Sequence, residues 1–193
     1  MELSELLNKT DYEWYEELFK ELSPTILKSI NVQEVIEKSV ISAEKVYKML
    51  QLENSETNLT AVIESYGVTV VHVDELISSP NIALYDDSEK KLVIFTSTVK
   101  RLHQLILKKG MGELIDEKQF KQLILSHELY HIIEMNEADI YTYSKILKRK
   151  RFGFLKKTEQ LPVASEVGAY HFSKILNQLQ FSPRVIEVLP ILA

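Results

Sequence analysis

The feature that most constrains this chain is residues 126–131, with the sequence SHELYH. In a helix, His127 and His131 lie one turn apart on one face, about 5–6 Å between Cβ atoms, so both imidazoles can reach one metal ion. Glu128 points roughly 100° further around the helix, beside the ion and not onto it. From there a carboxylate can take a proton from water at the metal. The spacing H-E-x-x-H therefore predicts a zinc site with a general base.

The residues before this stretch predict that it belongs to a long helix. Asp116 can cap the helix, and Phe120, Leu123 and Ile124 recur with the two histidines at steps of three and four. Apolar residues also fall on the other faces, so we expect the helix to be buried on most sides and to hold its ligands rigidly. The alternative is a helix whose two histidines only pack or face solvent.

A catalytic zinc site usually has three protein ligands and leaves one position to water, so a third ligand must come from elsewhere. Glu166 is one candidate, in the first turn of a predicted helix that Ser165 can cap. The small Gly168 would let this helix approach the motif helix closely. An acid in a first turn is also favoured by the helix dipole without any metal. His171 is a competing ligand.

Together these segments resemble a known family. The H-E-x-x-H stretch, followed by Glu166, Ala169 and Phe172 in the pattern E-x-x-A-x-x-F, resembles the ImmA/IrrE-type zinc metallopeptidases, whose motifs are H-E-L-G-H and E-x-x-A-N-x-F-A-x-x-L-L. Residues 59–70 resemble that family's helix, glycine and first strand, and residues 82–96 resemble its paired strands. The resemblance covers about residues 58–180 and is strongest at the two metal motifs.

The resemblance implies a cytoplasmic, zinc-dependent endopeptidase of the gluzincin type. One zinc ion per chain would be held by His127, His131 and Glu166, with Glu128 as general base. Such proteins are often borne on phages or integrative elements and cleave or inactivate a helix-turn-helix repressor, which is the protein substrate the resemblance implies.

This sequence departs from the family pattern at three positions near the motifs. Tyr130 stands where the family usually has Gly, Tyr170 where it has Asn, and Ser173 where it has Ala. Residues 98–119 also form a longer connection into the motif helix. These differences concern substrate preference and pocket shape, not the metal ligands.

Composition sets the broad class. With 193 residues and 45% apolar content, the chain suffices for one well-buried domain. The chain contains no cysteine, which excludes thiolate zinc sites and cysteine-protease chemistry. Apolar runs are far too short for a membrane span, and the acidic amino terminus does not resemble a secretory signal, so we expect a cytoplasmic protein with no membrane partner. The sequence leaves the oligomeric state open.

The first 57 residues are predicted to form an N-terminal helical segment that packs on a zincin-like metallopeptidase domain at 58–193, the two making one compact unit. No chemistry is identified in this segment. The alternative is a partner-binding arm, for which Trp14 and its aromatic neighbours would supply the surface.

Within the second part, three β-branched and apolar stretches predict strands at 68–73, 82–85 and 92–96. The last two are joined by a turn-like Asp-Asp-Ser-Glu sequence at 86–89. We therefore expect an α+β fold: a mostly helical, zincin-like domain with a small three-stranded sheet packed beside the H-E-x-x-H helix. The resemblance implies that an edge strand of this sheet binds substrate backbone.

Residues 137–152 are predicted to form another helix, and the stretch from Lys145 to Lys157 is strongly basic. Such a run is most often a solvated face, and the alternative is a site for an acidic protein or nucleic acid. The net charge of −5 gives no general drive toward nucleic acid, and no recognised DNA-binding motif is present, so direct nucleic-acid binding is not expected.

Peptide hydrolysis also needs a group that stabilises the developing oxyanion. By residue type the candidates are Tyr141, Tyr143, Tyr170 and His171, which the sequence does not rank. Glu134, one turn beyond His131, is either a carboxylate that orients a ligand or a solvated acid.

The main alternative from another class is a catalytically silent protein of the same fold that sequesters a transcriptional repressor. Retention of Glu128 argues against this alternative, because a purely structural metal site needs no general base.

Overall fold

In the computed structural model, residues 3–53, 58–75, 82–144, 147–151 and 155–188 are described. Four helices open the chain: α1 (Leu3–Asn8), α2 (Asp11–Phe19), α3 (Pro24–Leu27) and α4 (Val32–Glu53). Five more follow: α5 (Leu59–Ser65), α6 (Thr96–Lys108), α7 (Glu117–Asn136), α8 (Pro162–Leu176) and α9 (Arg184–Val188). In the described part of the chain, no helix combines the length and apolar character that crossing a membrane requires.

The chain between α5 and α6 forms a small mixed sheet. Its strands are β1 (Thr69–Val73), β2 (Ala83–Asp86) and β3 (Lys91–Phe95), in the order β1-β3-β2. β3 is central, parallel to β1 and antiparallel to β2. The three strands expected from the sequence are confirmed, with ends shifted by one residue, and the domain is α+β as expected.

The turn between β2 and β3 follows from its sequence. The Asp86 carboxylate accepts hydrogen bonds from the backbone N–H groups of Ser88 and Glu89 at 2.9 and 3.1 Å. Lys90 then takes a left-handed conformation, with φ at 49°. Side-chain capping of this kind is why short Asp-rich stretches favour turns.

The helix predicted over residues 137–152 is wrong. α7 ends at Asn136, Glu137 is extended, and Asp139 is left-handed with φ at 64°. A short 3₁₀ turn (Tyr141–Tyr143) follows, and then β4 (Leu147–Arg151) pairs antiparallel with β5 (Leu155–Glu159). Lys and Arg are good helix formers, but helix propensity is a small effect that tertiary contacts override, as strand pairing does here. Lys145 lies outside the described residues, as do the side chains of 148–151 and 155–157. The role of the basic stretch therefore stays a prediction.

The core is built around α7 and α8. Both helices are buried on several faces, and α8 also packs against α4 and α2. Trp14, Tyr15 and Phe19 of α2 are at most 2% exposed and belong to the core, whereas the neighbouring Tyr12 is 39% exposed. Trp14 therefore does not form an exposed partner surface. The boundary predicted after residue 57 adjoins residues 54–57, which lie outside the described residues.

One close approach joins α7 to α8. A Cβ atom added at Gly168 would lie 2.6 Å from both Cε1 and Cζ of Tyr130, whose side chain is fully buried. Such distances are shorter than any van der Waals contact, so only glycine fits at 168. The expectation that this glycine permits close helix packing is confirmed.

We expect Gly168→Ala to destabilise the protein by about 2 kcal/mol. A methyl group would overlap a fully buried ring, which costs toward the upper end of about 1–3 kcal/mol, and the higher helix propensity of alanine offsets about 0.5–1 kcal/mol of that cost. Urea unfolding measures the difference. Gly112→Ala is the control, because its added Cβ would meet only the mobile end of the exposed Leu107 side chain. A Gly168→Ala variant as stable as the parent would contradict the packing described.

Candidate metal centre

Helix α7 places the two histidines of the motif side by side. The Nε2 atoms of His127 and His131 lie 3.2 Å apart, with their rings edge to face. Both side chains are about one-fifth exposed. The Asp116 carboxylate begins this helix with a capping box, accepting a hydrogen bond from the Gln119 backbone N–H at 2.7 Å.

Helix α8 brings Glu166 to the same point. One carboxylate oxygen lies 3.5 Å from Nε2 of His127, and the other lies 3.7 Å from Nε2 of His131. α8 begins at Pro162 and not at Ser165 as the sequence suggested, so Glu166 lies beyond the first turn. The dipole explanation for this acid is correspondingly weaker, because that effect is confined to the first turn.

The spacing of these three donors suits one small cation. Ligand atoms about 2.0–2.1 Å from a tetrahedral ion lie about 3.4 Å from each other. The two Nε2 atoms are 3.2 Å apart, and the two oxygens of the Glu166 carboxylate approach them to 3.5 and 3.7 Å, one oxygen to each histidine. With one donor atom taken from each residue, all three atoms lie within 4.8 Å of one another. These residues therefore form a group that can hold a metal ion.

The charges in this group are complementary. Burial alone would lower the pKa of His127, but its hydrogen bond with Glu166 and the nearby carboxylates, Glu128 included, raise that pKa to about 9. Burial alone would raise the pKa of Glu166, but His127 and then His131 lower it to about 2. Glu166 therefore carries a negative charge at neutral pH and favours a cation beside it.

His171 does not join this group. Its Nδ1 lies 3.1 Å from the Tyr15 hydroxyl and its Nε2 lies 3.9 Å from Glu44, between α8 and the N-terminal helices. Burial lowers the pKa of His171, so the imidazole is neutral and the hydrogen bond to Tyr15 is structural. His171 is therefore not the third ligand, and that alternative is wrong.

Glu134 orients one of the ligands. Its carboxylate is only 3% exposed and lies 2.9 Å from Nδ1 of His131. The same carboxylate accepts hydrogen bonds from the hydroxyls of Thr142 and Ser165. Of the two roles that the sequence left open for Glu134, the solvated acid is excluded. The step of three residues from His131 was the only signal for this contact.

Glu128 lies where two clefts meet. A cleft of about 200 Å³ on one side contains His127 and Glu128. A second cleft of about 340 Å³ contains Glu128, His131 and Glu166. Apolar residues line part of the first cleft: Phe120 and Leu123 of α7, Ile82 just before β2, and Ile186 of α9. A bound molecule that spans both clefts passes the Glu128 carboxylate.

Two of the four oxyanion candidates reach these clefts. Tyr143 lines the second cleft and is 41% exposed. Tyr170 lines the first cleft with its ring edge against His127. Tyr141 lies over Lys38 instead, with the ammonium 5.6 Å from the ring centroid.

The C-terminal helix α9 engages Tyr170. The Tyr170 hydroxyl donates a hydrogen bond to Glu187 and accepts one from Arg184 at 3.4 Å. Burial, followed by the charges of Glu187 and Glu166, raises the pKa of Tyr170 well above its usual value. The sequence had no signal for these two α9 residues, since their relevance arises only from the fold.

We expect about one metal ion per chain in wild-type protein, and little or none in His127→Ala, His131→Ala or Glu166→Ala, because two remaining ligands hold zinc weakly. Elemental analysis after dialysis against zinc measures the content. His171→Ala is the control and should keep its metal, because His171 faces Tyr15. Full metal content in Glu166→Ala would show that the third ligand lies elsewhere.

Comparisons with family models, with curated proteins and with solved structures find no match to this chain. The geometry of the site combines a His-His-Glu group able to hold a metal ion with a neighbouring carboxylate at the junction of two clefts.

Proposed function

We propose that this chain is a zinc-dependent metallopeptidase of the zincin type, with zinc held by His127, His131 and Glu166. Two imidazole nitrogens and one carboxylate oxygen are donors that catalytic zinc sites use, leaving a fourth position open. The observation that carries the proposal is the position of Glu128, beside these donors and in both clefts. When bound, zinc supplies a Lewis acid that polarises a carbonyl and activates water near neutral pH.

Glu128 acts as the general base and then as the general acid. Its carboxylate takes a proton from the water that attacks the peptide carbonyl and passes it to the nitrogen of the leaving amine. Glu166 and the two histidines hold their positions during this step. Tyr143, at the second cleft, is the more exposed candidate for a hydrogen bond to the developing oxyanion.

The edge of the sheet supports a peptide as substrate. Ile82 O accepts a hydrogen bond from Phe95 N at 3.0 Å, so alternate residues of β2 turn their backbone groups toward β3. The backbone groups of Ala83 and Tyr85 then point away from β3, and no described strand pairs with that side. Ala83 borders the first cleft and Tyr85 the second. An extended peptide added at this edge runs past Glu128.

The arrangement favours catalysis over silent sequestration. A metal that only stabilises a fold is usually enclosed by four protein ligands, whereas the part of the chain that the structure describes brings three together here. A carboxylate beside the metal and open to two clefts has no use in a structural site. By the resemblance noted from the sequence, we propose a helix-turn-helix repressor as the first protein substrate to test.

We expect zinc-loaded wild-type protein to cleave members of a proteome-derived peptide library. Glu128→Gln should keep its zinc and cleave about 10²–10⁴-fold more slowly, because the amide cannot accept the proton. Mass spectrometry of new amino termini measures the cleavage, and elemental analysis measures the zinc.

Glu89→Gln is the matched control, since Glu89 is an exposed turn residue away from both clefts. The proposal fails if the wild type and Glu128→Gln, both holding zinc, give the same products at the same rates from the library and from the repressor.

A further inference from the structure

Tyr130 lies within the metal-binding motif, yet its side chain points into the core. The side chain is fully buried, and its ring packs 5.6 Å, centroid to centroid, from Phe172 of α8. Its hydroxyl lies 2.9 Å from Oγ1 of Thr142, in the 3₁₀ turn after α7, and also hydrogen-bonds the buried side chain of Ser42 in α4. A buried aromatic ring needs no hydroxyl for packing alone, so the polar contact calls for an explanation.

The hydrogen bonds that link Tyr130, Thr142 and Glu134 have a defined order of donors and acceptors. Thr142 has a single hydroxyl proton, which it donates to Oε2 of Glu134 at 2.5 Å. Tyr130 must therefore be the donor in its own contact with Thr142. The chain runs from Tyr130 through Thr142 to the Glu134 carboxylate, whose other oxygen lies 2.9 Å from Nδ1 of His131.

This chain ends at a ligand of the candidate metal centre. With Nδ1–H of His131 donating to Glu134, the lone pair of Nε2 faces Nε2 of His127 and the proposed ion. The Ser165 hydroxyl also lies 2.9 Å from this Nδ1 and donates to the same carboxylate, so the orientation of the His131 ring depends on Glu134 and Ser165 together. That carboxylate is buried, so its hydrogen-bond donors determine its position.

We propose that Tyr130 is a positioning residue for the metal, acting through Thr142 and Glu134 to fix His131. This role rests on the proposed metal centre and assigns a function to the tyrosine hydroxyl that packing does not require. Gly168 supports this role, because a Cβ atom at that position would displace the Tyr130 ring.

The test is the affinity for zinc alone, measured by competition with a chromophoric chelator. Tyr130→Phe keeps the ring and removes only the hydroxyl. Direct partners of metal-bound histidines contribute about 10–100-fold to affinity, so for this more distant link we expect a loss of about 3–10-fold. Thermal unfolding of the metal-free variant checks that the fold is kept.

Tyr15→Phe is the matched control. Tyr15 is 1% exposed and also hydrogen-bonds a histidine of α8, but that histidine, His171, is not a ligand. Its zinc affinity should stay within about twofold of wild type, whatever the effect on stability. Equal affinities for Tyr130→Phe and Tyr15→Phe would overturn the inference.

A double-mutant cycle separates a linked chain from independent packing effects. Thr142→Val should weaken zinc binding about 10-fold, and adding Tyr130→Phe should cause no further loss, because the path is already broken. Additive losses would overturn the inference. A wild type that binds no zinc would instead refute the proposed metal centre on which the inference rests.

Discussion

The contact between α7 and α8 is the interaction on which the candidate site depends. Helix α7 supplies two imidazoles by its own periodicity, but two ligands do not make a catalytic zinc site. Glu166 reaches them only because α8 lies against α7, where Gly168 leaves room for the Tyr130 ring. The separations of 3.5 and 3.7 Å between Glu166 and the histidines therefore follow from packing in the core.

The buried carboxylate of Glu134 gives this packing a functional meaning. A buried charge is costly, and replacing such a group with a well-packed apolar residue is often neutral or stabilising. Here the buried carboxyl group is hydrogen-bonded by Thr142 and Ser165 and contacts Nδ1 of His131. Glu134 contacts His131, a candidate ligand. We therefore infer that orienting this ligand is the reason why a costly carboxyl group is buried at this position.

Local patterns predicted much of this arrangement. The one-turn spacing of His127 and His131, the Asp116 cap and the β-branched strands each depend on a few neighbouring residues, and the structure has them as expected. Glu166 was named because a second helix with small residues could approach the first. Such inferences succeed where local preference and tertiary packing agree.

The expectations that failed depended on distant partners. Residues 147–151 form a strand because they pair with residues 155–159, which the helical preference of Lys and Arg does not reveal. The contacts of Glu134 with Thr142 and Ser165 cross from α7 to the 3₁₀ turn and to α8. His171 has a suitable donor atom, but the placement of α2 and α4 directs it to Tyr15 and Glu44.

Crystallography of zinc-soaked protein, with anomalous data collected on both sides of the zinc edge, tests the central claim most directly. The account predicts one strong anomalous peak about 2.0–2.2 Å from Nε2 of His127, Nε2 of His131 and a carboxylate oxygen of Glu166. It also predicts that Nδ1 of His131 stays hydrogen-bonded to Glu134. A peak with other ligands, or no peak between these three side chains at saturating zinc, would contradict the account.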